Sequence, residues 1–538
     1  MSRQGRILVV ENTERWRNLV SDTLLRGGFK VDTAGTIAEA ETALRESWYH
    51  LAVLDIRLDD DSDETDLEGL NLLYGEIIEA SIRDAMKVIV LSAFGTKEQM
   101  RKAFTAGKVV DFLDKADFDN LAFRSQVQEL FTPAAHINLN LAIHWQQVET
   151  PAQLVVGLDL GGRRVKRGTP EQEQMAEELD DLLCRLFSKA DSLLVRPLSS
   201  GQSGAAVLLA EPFYDVGPGQ QVIVKFGDFR SIDAEYKNFE TYVQPFIGDE
   251  RRTSVITLRR TPRLGGIVYS LLGSNNNALE SFAAFYARAD IATIKDVLSR
   301  LFLETCGPWY ANPSRLQLCD LTEEYQNLLG WTTEKLENAL AQGLKTVQGK
   351  ATLKFADLAG QRAFTNPIAA AARQRFLKTT YRCTTHGDLN ENNIMVDSSG
   401  HAWLIDFDCI GPGHILRDVA ELDSVVRLQL LKENECTLEE RLALEEALCA
   451  PASFSQLGEL EATFSTDNPA LAKAFVIAVH LRKIAHRLVE HNPQADLSEY
   501  HIALYYYALN AVRFHSLLPS VQRQHALLAA SLLADCLE

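Results

Sequence analysis

The segment Thr385–Asp408, THGDLNENNIMVDSSGHAWLIDFD, constrains the fold more than any other part of the chain. Two short apolar runs in it are separated by a polar turn, which predicts a pair of short strands. Oxygen-bearing side chains stand at fixed places around this pair, at Asp388, Asn393 and Asp406. Side chains of this kind are the ligands that Mg²⁺ prefers in proteins. The segment therefore predicts a cluster of oxygen-bearing side chains at the ends of two short strands.

The spacing His386-x-Asp388-x4-Asn393, followed by a strand that ends at Asp406, resembles the catalytic core of aminoglycoside phosphotransferases, choline kinases and related protein-kinase-like enzymes. The resemblance implies an α+β bilobal domain with a helical C-terminal lobe, which uses ATP and Mg²⁺. In such a site Asp388 orients the acceptor hydroxyl and takes its proton, while Asn393 and Asp406 hold the metal. The resemblance also gives structural roles to His386 and to Asp418, which braces the catalytic loop.

A lysine and a glycine-containing loop lie upstream of this segment. Gly201, Ser203 and Gly204 stand between two β-type runs, where backbone N–H groups could cover a phosphate, although an ordinary turn has the same pattern. Lys225 follows an apolar run that predicts a strand, and a helical stretch with Glu235 comes next.

The same resemblance assigns further contacts to the nucleotide. It implies that Lys225 holds the α and β phosphates and that Glu235 holds Lys225, with Glu240 as the alternative partner. The apolar strand from Ile267 to Gly273 is where a hinge would offer backbone groups to adenine, around Tyr269 and Leu271. The residues from Gly201 to Leu271 thus form the expected nucleotide-binding half of the site.

The first 131 residues alternate short apolar runs with amphipathic stretches. The runs predict five strands, at Ile7–Val10, Phe29–Thr33, Leu51–Leu54, Val88–Leu91 and Val109–Leu113. Such a sequence is typical of an α/β doubly wound domain with a parallel sheet, whose strand carboxyl ends gather the functional residues. Those ends carry Glu11 and Asn12, Asp55, Ser92 and Lys115, with Phe112 shortly before the lysine.

This set of residues resembles the receiver domain of bacterial response regulators. The resemblance implies that Asp55 accepts a phosphoryl group, that Ser92, Phe112 and Lys115 respond to it, and that Glu11, Asn12 and Asp55 hold Mg²⁺. Asn12 departs from the family pattern, which usually has a second acid there, so one negative charge is missing beside the metal. The resemblance also implies a sensor histidine kinase or another phosphodonor as partner, and it is compatible with a homodimer through the receiver.

Domain boundaries follow from these segments. We predict a receiver domain over residues 1–131, a linker over 132–189 with a strand at Ile137–Ile143 and an amphipathic helix at Gln172–Lys189, a kinase-like N-lobe over 190–273 and a helical C-lobe over 274–538. The stretch Leu279–Lys378 is expected to be mostly helical.

The amino-acid composition limits the classes of partner and the cellular location that we expect. The 538 residues include 54 Lys and Arg against 73 Asp and Glu, a net charge of −19, which disfavours nucleic acid and anionic membrane surfaces. The 8 cysteines show no C-x-x-C pair, and no apolar run approaches the length of a membrane span. These features predict a cytoplasmic protein.

Together the patterns predict a signal-transduction protein of a phosphorelay. Its phosphoaccepting receiver would regulate an ATP- and Mg²⁺-dependent phosphotransferase that acts on a hydroxyl acceptor, which the sequence does not identify. The alternative is a non-catalytic nucleotide-binding pseudokinase or scaffold, with a weak or phosphorylation-independent receiver.

Overall fold

The computed structural model describes residues 3–58, 68–74, 86–93, 100–101, 104, 109–132, 136–148, 150–199, 204–246, 252–272, 279–330, 332–341, 346–348, 351–358, 362–462, 464–514 and 517–538. The chain divides into two compact units. The first comprises Met1–Tyr236 and Ser254–Ser270, and the second comprises Lys237–Thr253 and Leu271–Glu538.

The first unit begins with a parallel sheet of five strands in the order β2-β1-β3-β4-β5. The strands are β1 (Arg6–Val10), β2 (Lys30–Ala34), β3 (Leu51–Leu54), β4 (Lys87–Ser92) and β5 (Val109–Asp114). The described helices around it are α1 (Glu14–Arg26), α2 (Ile37–Glu46), α3 (Glu68–Tyr74) and α4 (Asn120–Glu129). This confirms the predicted five-stranded parallel sheet.

The side chains of β1 alternate between two apolar cores, one on each face of the sheet. Leu8 and Val10 pack into one apolar core, and Ile7 and Val9 pack into the other. A strand buried on both faces needs a continuous apolar run, which is what the sequence shows at this position.

A second sheet of seven strands lies mainly in the first unit, with the order β13-β14-β12-β10-β9-β6 and β11 paired to β10. Its strands are β6 (Ala142–Trp145), β9 (Ser192–Ser199), β10 (Ala206–Tyr214), β11 (Gly217–Pro218), β12 (Val222–Asp228), β13 (Arg252–Arg260) and β14 (Leu264–Leu272). The short strands β7 (Asp159–Leu160) and β8 (Arg163–Arg164) pair with each other, and α5 covers Ala152–Val155.

The strand predicted at Ile137–Ile143 is placed differently by the structure, which starts β6 at Ala142. The side chain of Asn138 causes this, because its oxygen accepts the N–H of Asn140 and its amide donates to the Ala190 carbonyl. The chain turns there, and Ile137 enters the core instead of pairing in a sheet.

Helix α6 (Pro170–Leu186) is the amphipathic helix predicted in the linker, and it packs on the seven-stranded sheet. Thr169 accepts the N–H of Gln172 as the N-cap, and a proline stands in the first turn, both of which favour a helix start. The apolar side of α6 is fully buried against strands of the sheet, through Met175, Leu179, Leu182 and Leu183.

The polar side of α6 contacts the five-stranded sheet. Asp181 receives a 2.7 Å hydrogen bond from Nε2 of His50, and Asp180 receives a 2.8 Å bond from Arg3. His50 directly precedes β3, and Arg3 precedes β1. The helix therefore docks at the amino ends of the parallel strands.

The second unit is mostly helical. Between short strands it contains α8 (Phe282–Arg288), α9 (Ile291–Arg300), α10 (Gly307–Tyr310), α11 (Leu321–Leu329), α12 (Thr333–Ala341) and α13 (Pro367–Ala371). Its C-terminal helices are α14 (Arg417–Val425), α15 (Leu438–Cys449), α16 (Leu457–Leu460), α17 (Pro469–Val489), α18 (Leu497–Val512) and α19 (Ser520–Leu537). Helix α7 (Phe229–Asn238), which precedes them all, begins in the first unit.

The strands of the second unit form four small sheets, β15-β22-β23, β16-β20, β17-β18-β19 and β21-β24. They are β15 (Glu280–Ser281), β16 (Gln317–Asp320), β17 (Thr346–Gln348), β18 (Thr352–Phe355), β19 (Phe364–Thr365), β20 (Leu377–Thr380), β21 (Arg382–Thr385), β22 (Ile394–Val396), β23 (Ala402–Leu404) and β24 (Gly411–His414). The prediction of a mostly helical region over 279–378 missed β15 to β19 and the start of β20. In β18, buried Leu353 and Phe355 alternate with exposed residues, a period of two that marks a strand.

No helix among the described residues combines the length and the apolar character that crossing a membrane requires.

Candidate functional site

Three charged groups meet at the carboxyl edge of the five-stranded sheet. Lys115 Nζ lies 2.5 Å from Asp55 Oδ2 and 2.7 Å from Glu11 Oε2. All three side chains are buried. Because parallel strands end at the same edge, residues far apart in the sequence converge here, as the strand pattern predicts.

The two carboxylates crowd each other. Burial and the charge of Asp55 raise the pKa of Glu11, although Lys115 opposes this shift. Burial by itself would lower the pKa of Lys115, but the charges of Asp55 and Glu11 outweigh burial and raise it. One lysine therefore balances two acids, so the site can accommodate further positive charge.

The remaining predicted receiver residues lie around this cluster. Asn12 follows Glu11, and its side-chain oxygen accepts a 3.2 Å hydrogen bond from the Thr13 hydroxyl. Ser92 is the buried last residue of β4, and Phe112 on β5 is half-buried against the core that contains Leu54. The structure thus places Ser92 on the strand beside Phe112 and Lys115, as predicted.

These groups fit a magnesium ion in character. Mg²⁺ is usually bound through one or two carboxylates together with substrate phosphates and water. Glu11 and Asp55 supply the carboxylates, and burial together with the charge of Asp55 raises the pKa of Glu11. Over the described part of the chain, no group of three or more His, Cys, Asp or Glu side chains is arranged to hold a metal.

A second buried lysine lies in the seven-stranded sheet. Lys225 on β12 contacts Glu235 of α7 at 2.7 Å, and both side chains are buried. The hydroxyl of Tyr269 on β14 donates to the other oxygen of Glu235. Glu240 is exposed, so the geometry selects Glu235 from the two candidates.

The other predicted nucleotide contacts are only partly described. Gly201 and Ser203 lie outside the described residues, and Leu271 lies near the end of β14, in the second unit. Gly204 has a φ of +89°, and a Cβ there would come within 2.6 Å of the Asp159 side chain. A glycine is therefore required at this position. Tyr269 is fully buried, and its hydroxyl donates a hydrogen bond to Glu235.

The loop before β22 is held by two carboxylates of helix α14. Asp418 accepts the backbone N–H of His386 at 2.8 Å and that of Gly387 at 2.9 Å. Glu421, one turn later, accepts the N–H of Leu389 at 2.8 Å. Donors on both sides of Asp388 are thus fixed to one helix face, where residues three apart are neighbours.

The Asp388 carboxylate is itself oriented. The amide nitrogen of Asn393 donates to Asp388 Oδ2 at 3.0 Å and to its backbone oxygen at 2.8 Å. Asn390 donates to Oδ1 at 3.1 Å. Asp388 remains partly exposed, so a reactant could still reach it.

Asp406 has an unusual backbone conformation. Its φ is +69°, a region that a residue other than glycine adopts at a cost, and such residues cluster at functional sites. The backbone N–H of the preceding Ile405 donates to the Asn393 carbonyl at 3.0 Å, which holds the two predicted metal ligands beside the paired ends of β22 and β23. His386 is fully buried, and its ring contacts the Ile405 carbonyl at 3.1 Å.

Glu421 was missed by the sequence analysis. Burial and the charges of Asp388 and Asp418 raise its pKa well above the usual range. The spacing Asp418-x-x-Glu421 on a helix was the only available signal, and charged pairs at this spacing are common on exposed helix faces.

Comparison with known families gives two matches. Residues 7–125 match the response regulator receiver domain. Residues 190–360 and 354–513 match the ternary complex associated domain 9, and these segments span more than half of the chain. The chain belongs to the ternary complex associated domain 9 family.

Among solved structures, a response regulator from Thermotoga maritima is 26% identical and covers 24% of this chain and 98% of its own, with a TM-score of 0.21. A CheY-like receiver domain protein from Methanospirillum hungatei JF-1 is 21% identical over 24% of this chain and 93% of its own, also at 0.21. Scores this low carry no weight beside the family match and the strand order. No curated protein matches the chain.

The family match and the parallel sheet identify the N-terminal part as a response regulator receiver domain. The chain therefore has a role in two-component phosphorelay signalling, and a phosphodonor such as a sensor kinase is its partner.

Proposed function

We propose that the receiver, phosphorylated at Asp55, regulates an ATP- and Mg²⁺-dependent phosphotransferase of the aminoglycoside phosphotransferase and choline kinase type, whose acceptor is a hydroxyl compound. The receiver and the Lys225–Glu235 pair form one half of this proposal, and the Asp388 loop forms the other. The two halves belong to different units, and each is argued on its own geometry.

The chemistry at Asp55 follows from its neighbours. A carboxylate oxygen of Asp55 forms the new bond to phosphorus, and the donor's leaving group departs with the electron pair of the broken bond. Lys115, 2.5 Å from Asp55, offsets the charge that the phosphoryl group brings. Glu11 and Asn12 would hold Mg²⁺ together with Asp55, and the ion would neutralise phosphoryl oxygens.

The braced Asp388 loop is the observation that carries the phosphotransferase proposal. Asp418 and Glu421 fix the backbone on both sides of Asp388, and Asn393 orients its carboxylate. A general base must be held within hydrogen-bond reach of the proton that it takes, and an oriented, partly exposed carboxylate at Asp388 supports this role. Asp388 would take the proton of the acceptor hydroxyl.

The other side chains have roles in holding the nucleotide. Asn393 and Asp406 would hold Mg²⁺, which would neutralise charge on the nucleotide phosphates. Lys225, kept in place by Glu235, would contact the α and β phosphates. The name of the family associates its members with a ternary complex, which supports action within such a complex.

Thermal unfolding with and without Mg-ATP tests the proposal without knowledge of the acceptor. A ligand at about one hundred times its Kd stabilises the folded state by about 2.7 kcal/mol, which corresponds to a Tm rise of a few degrees. We expect this rise in the wild type and its loss in Asp406→Ala. Asp467→Ala, an exposed aspartate in the same unit, is the matched control and should keep the rise.

Two results would contradict the proposal. A folded wild type without any Mg-dependent rise would leave the alternative, a non-catalytic scaffold with a receiver. A rise that survives Asp406→Ala would place the nucleotide elsewhere in the chain.

A further inference from the structure

We propose that Glu178 on α6 is a positioning residue that transmits the phosphorylation state of the receiver to the Lys225–Glu235 pair. The inference rests on the proposed function, because it assigns the regulation of that nucleotide site. All the contacts involved lie within the first unit.

The first step of this route is the docking of α6 on the receiver. His50 Nδ1 accepts the backbone N–H of Arg6, so Nε2 carries the proton that is donated to Asp181. Arg185 Nε holds the other oxygen of Asp181 at 2.8 Å. His50 and Asp55 flank the two ends of β3, so a rigid strand of about 16 Å, at 3.3 Å per residue, joins the phosphorylation site to α6.

The second step is a buried ion pair between α6 and the turn before β14. Glu178 is fully buried and lies 2.6 Å from the guanidinium of Arg263, while its other oxygen accepts the Thr261 hydroxyl at 2.8 Å. Burial raises the pKa of Glu178, although Arg263 and Thr261 oppose this shift. A buried carboxylate needs these partners, so the turn must follow α6 when the helix moves.

Gln174 links the same turn directly to the receiver. Its amide donates to the Glu46 carbonyl of the receiver at 2.8 Å, and its oxygen accepts from Arg263 at 3.0 Å. Arg263 is therefore held by two residues of α6, one of which also touches the receiver backbone.

The third step passes from the turn to helix α7, which carries Glu235. The Arg263 carbonyl accepts the N–H of Phe229, the first residue of α7, at 3.2 Å. Arg260 also binds Asp233 of α7, with Nε at 2.7 Å. The start of α7 is thus attached to the turn that Glu178 holds.

Two adjacent glycines bring both helices onto one strand. A Cβ at Gly266 would lie 2.9 Å from the Leu186 side chain of α6, and a Cβ at Gly265 would lie 2.9 Å from Ile232 and Phe229 of α7. Neighbouring residues of a strand face opposite sides, so α6 and α7 pack against opposite faces of β14 at these two adjacent glycines. In a close-packed interior a displacement of α6 would move β14 and α7 together.

The experiment measures coupling between the two sites in the full chain. The Kd of Mg-ATP is determined with and without beryllofluoride, a phosphoryl mimic at Asp55, in the wild type, Glu178→Gln and Arg263→Gln. Hydrogen exchange of residues 229–238 is followed under the same conditions. We expect beryllofluoride to change the wild-type Kd about fivefold or more, in line with ordinary coupling between sites, and to change the exchange of α7.

Both substitutions should bring the Kd ratio to one and remove the exchange change, while each site still binds its own ligand. Glu171→Gln, the same substitution at an exposed site on the same helix, should behave as the wild type. The Arg263 side chain is 34% exposed, so Arg263→Gln remains informative if Glu178→Gln does not fold.

The outcomes separate the two proposals. Coupling that persists in both variants overturns the role of Glu178. A wild type that binds Mg-ATP without any response to beryllofluoride in Kd or exchange overturns the coupling and leaves the proposed function standing. A wild type that binds no Mg-ATP, yet shows an α7 exchange change that depends on Glu178, refutes the proposed function and supports the route.

Discussion

The two edges of the receiver sheet use similar charged groups for different purposes. At the carboxyl edge, Lys115 lies between Asp55 and Glu11, so two negative charges face one positive charge. At the amino edge, Asp181 of α6 lies between Arg185 and the ring of His50, and each of its two oxygens accepts a hydrogen bond.

The two edges differ in whether the negative charge of their carboxylates is fully compensated. The acids outnumber the lysine at the carboxyl edge, and the pKa of Glu11 is raised there by burial and by Asp55. Burial by itself would also raise the pKa of Asp181, but the charge of Arg185 and the hydrogen bonds from His50 and Arg185 hold it well below its usual range. The first edge is suited to receive a cation and a phosphoryl group, whereas the second is suited to hold two elements together.

The largest effect is expected from a substitution that removes the phosphoryl acceptor at the carboxyl edge. Asp55→Asn removes the oxygen nucleophile, and we expect phosphoryl incorporation from acetyl phosphate to fall to background, as measured by intact-protein mass. Asp22→Asn, at an exposed position on α1, should label as the wild type does. Labelling of Asp55→Asn to the wild-type extent would show that another residue is the acceptor.

The second largest effect is expected from a substitution that removes the charged contact at the amino edge. Asp181→Asn leaves Arg185 and His50 without a charged partner in a buried site, and we expect a loss of about 3–5 kcal/mol in unfolding free energy, measured with urea at neutral pH. A loss below 1 kcal/mol would mean that this contact does not hold α6 on the receiver.

The amino edge should also respond to pH. Because the folded pKa of Asp181 is depressed, its ionised form stabilises the fold above the unfolded pKa of about 3.9, and this contribution is lost as the pH falls further. Acid unfolding of Asp181→Asn, followed by circular dichroism, should therefore depend less on pH below 4 than that of the wild type. Equal slopes would contradict the assignment.

A smaller effect would sharpen the comparison at the carboxyl edge. Asn12→Asp adds the second acid that receivers usually have, and the added charge should tighten Mg²⁺ binding about tenfold, the equivalent of 1.4 kcal/mol. Titration of Trp16 fluorescence reports this, because its ring lies 5.5 Å from Lys115 Nζ. Asn18→Asp, the same change at an exposed position, is the control. Equal affinity of wild type and Asn12→Asp would show that Asn12 does not weaken the site.

The smallest effect concerns Gln174. Gln174→Ala removes the bridge between the Glu46 carbonyl and Arg263, and partly exposed hydrogen bonds of this kind contribute about 1 kcal/mol to stability. We expect a small shift in the urea midpoint with an unchanged slope. A destabilisation as large as that of Asp181→Asn would mean that Gln174 has a packing role as well.

Local pattern predicted much of this molecule. The period of the apolar runs gave the five strands of the receiver sheet, and parallel pairing then required Glu11, Asp55 and Lys115 to meet. The pattern failed where a side chain overrode it, as Asn138 does before β6, or where strands were too short to stand out among helices, as with β16–β20.

The sequence by itself determined the receiver domain and the residues at its carboxyl edge. Those residues follow separate strands, and parallel strands bring their carboxyl ends to the same edge of the sheet. Tertiary structure alone decided that Glu235 and not Glu240 binds Lys225, since both lie in one helical stretch and only packing selects the inward one. It also decided the contact between His50 and Asp181, which are 131 residues apart. A pair so distant leaves no local signal, because its energy comes from burial and complementary charge that exist only after the chain has folded.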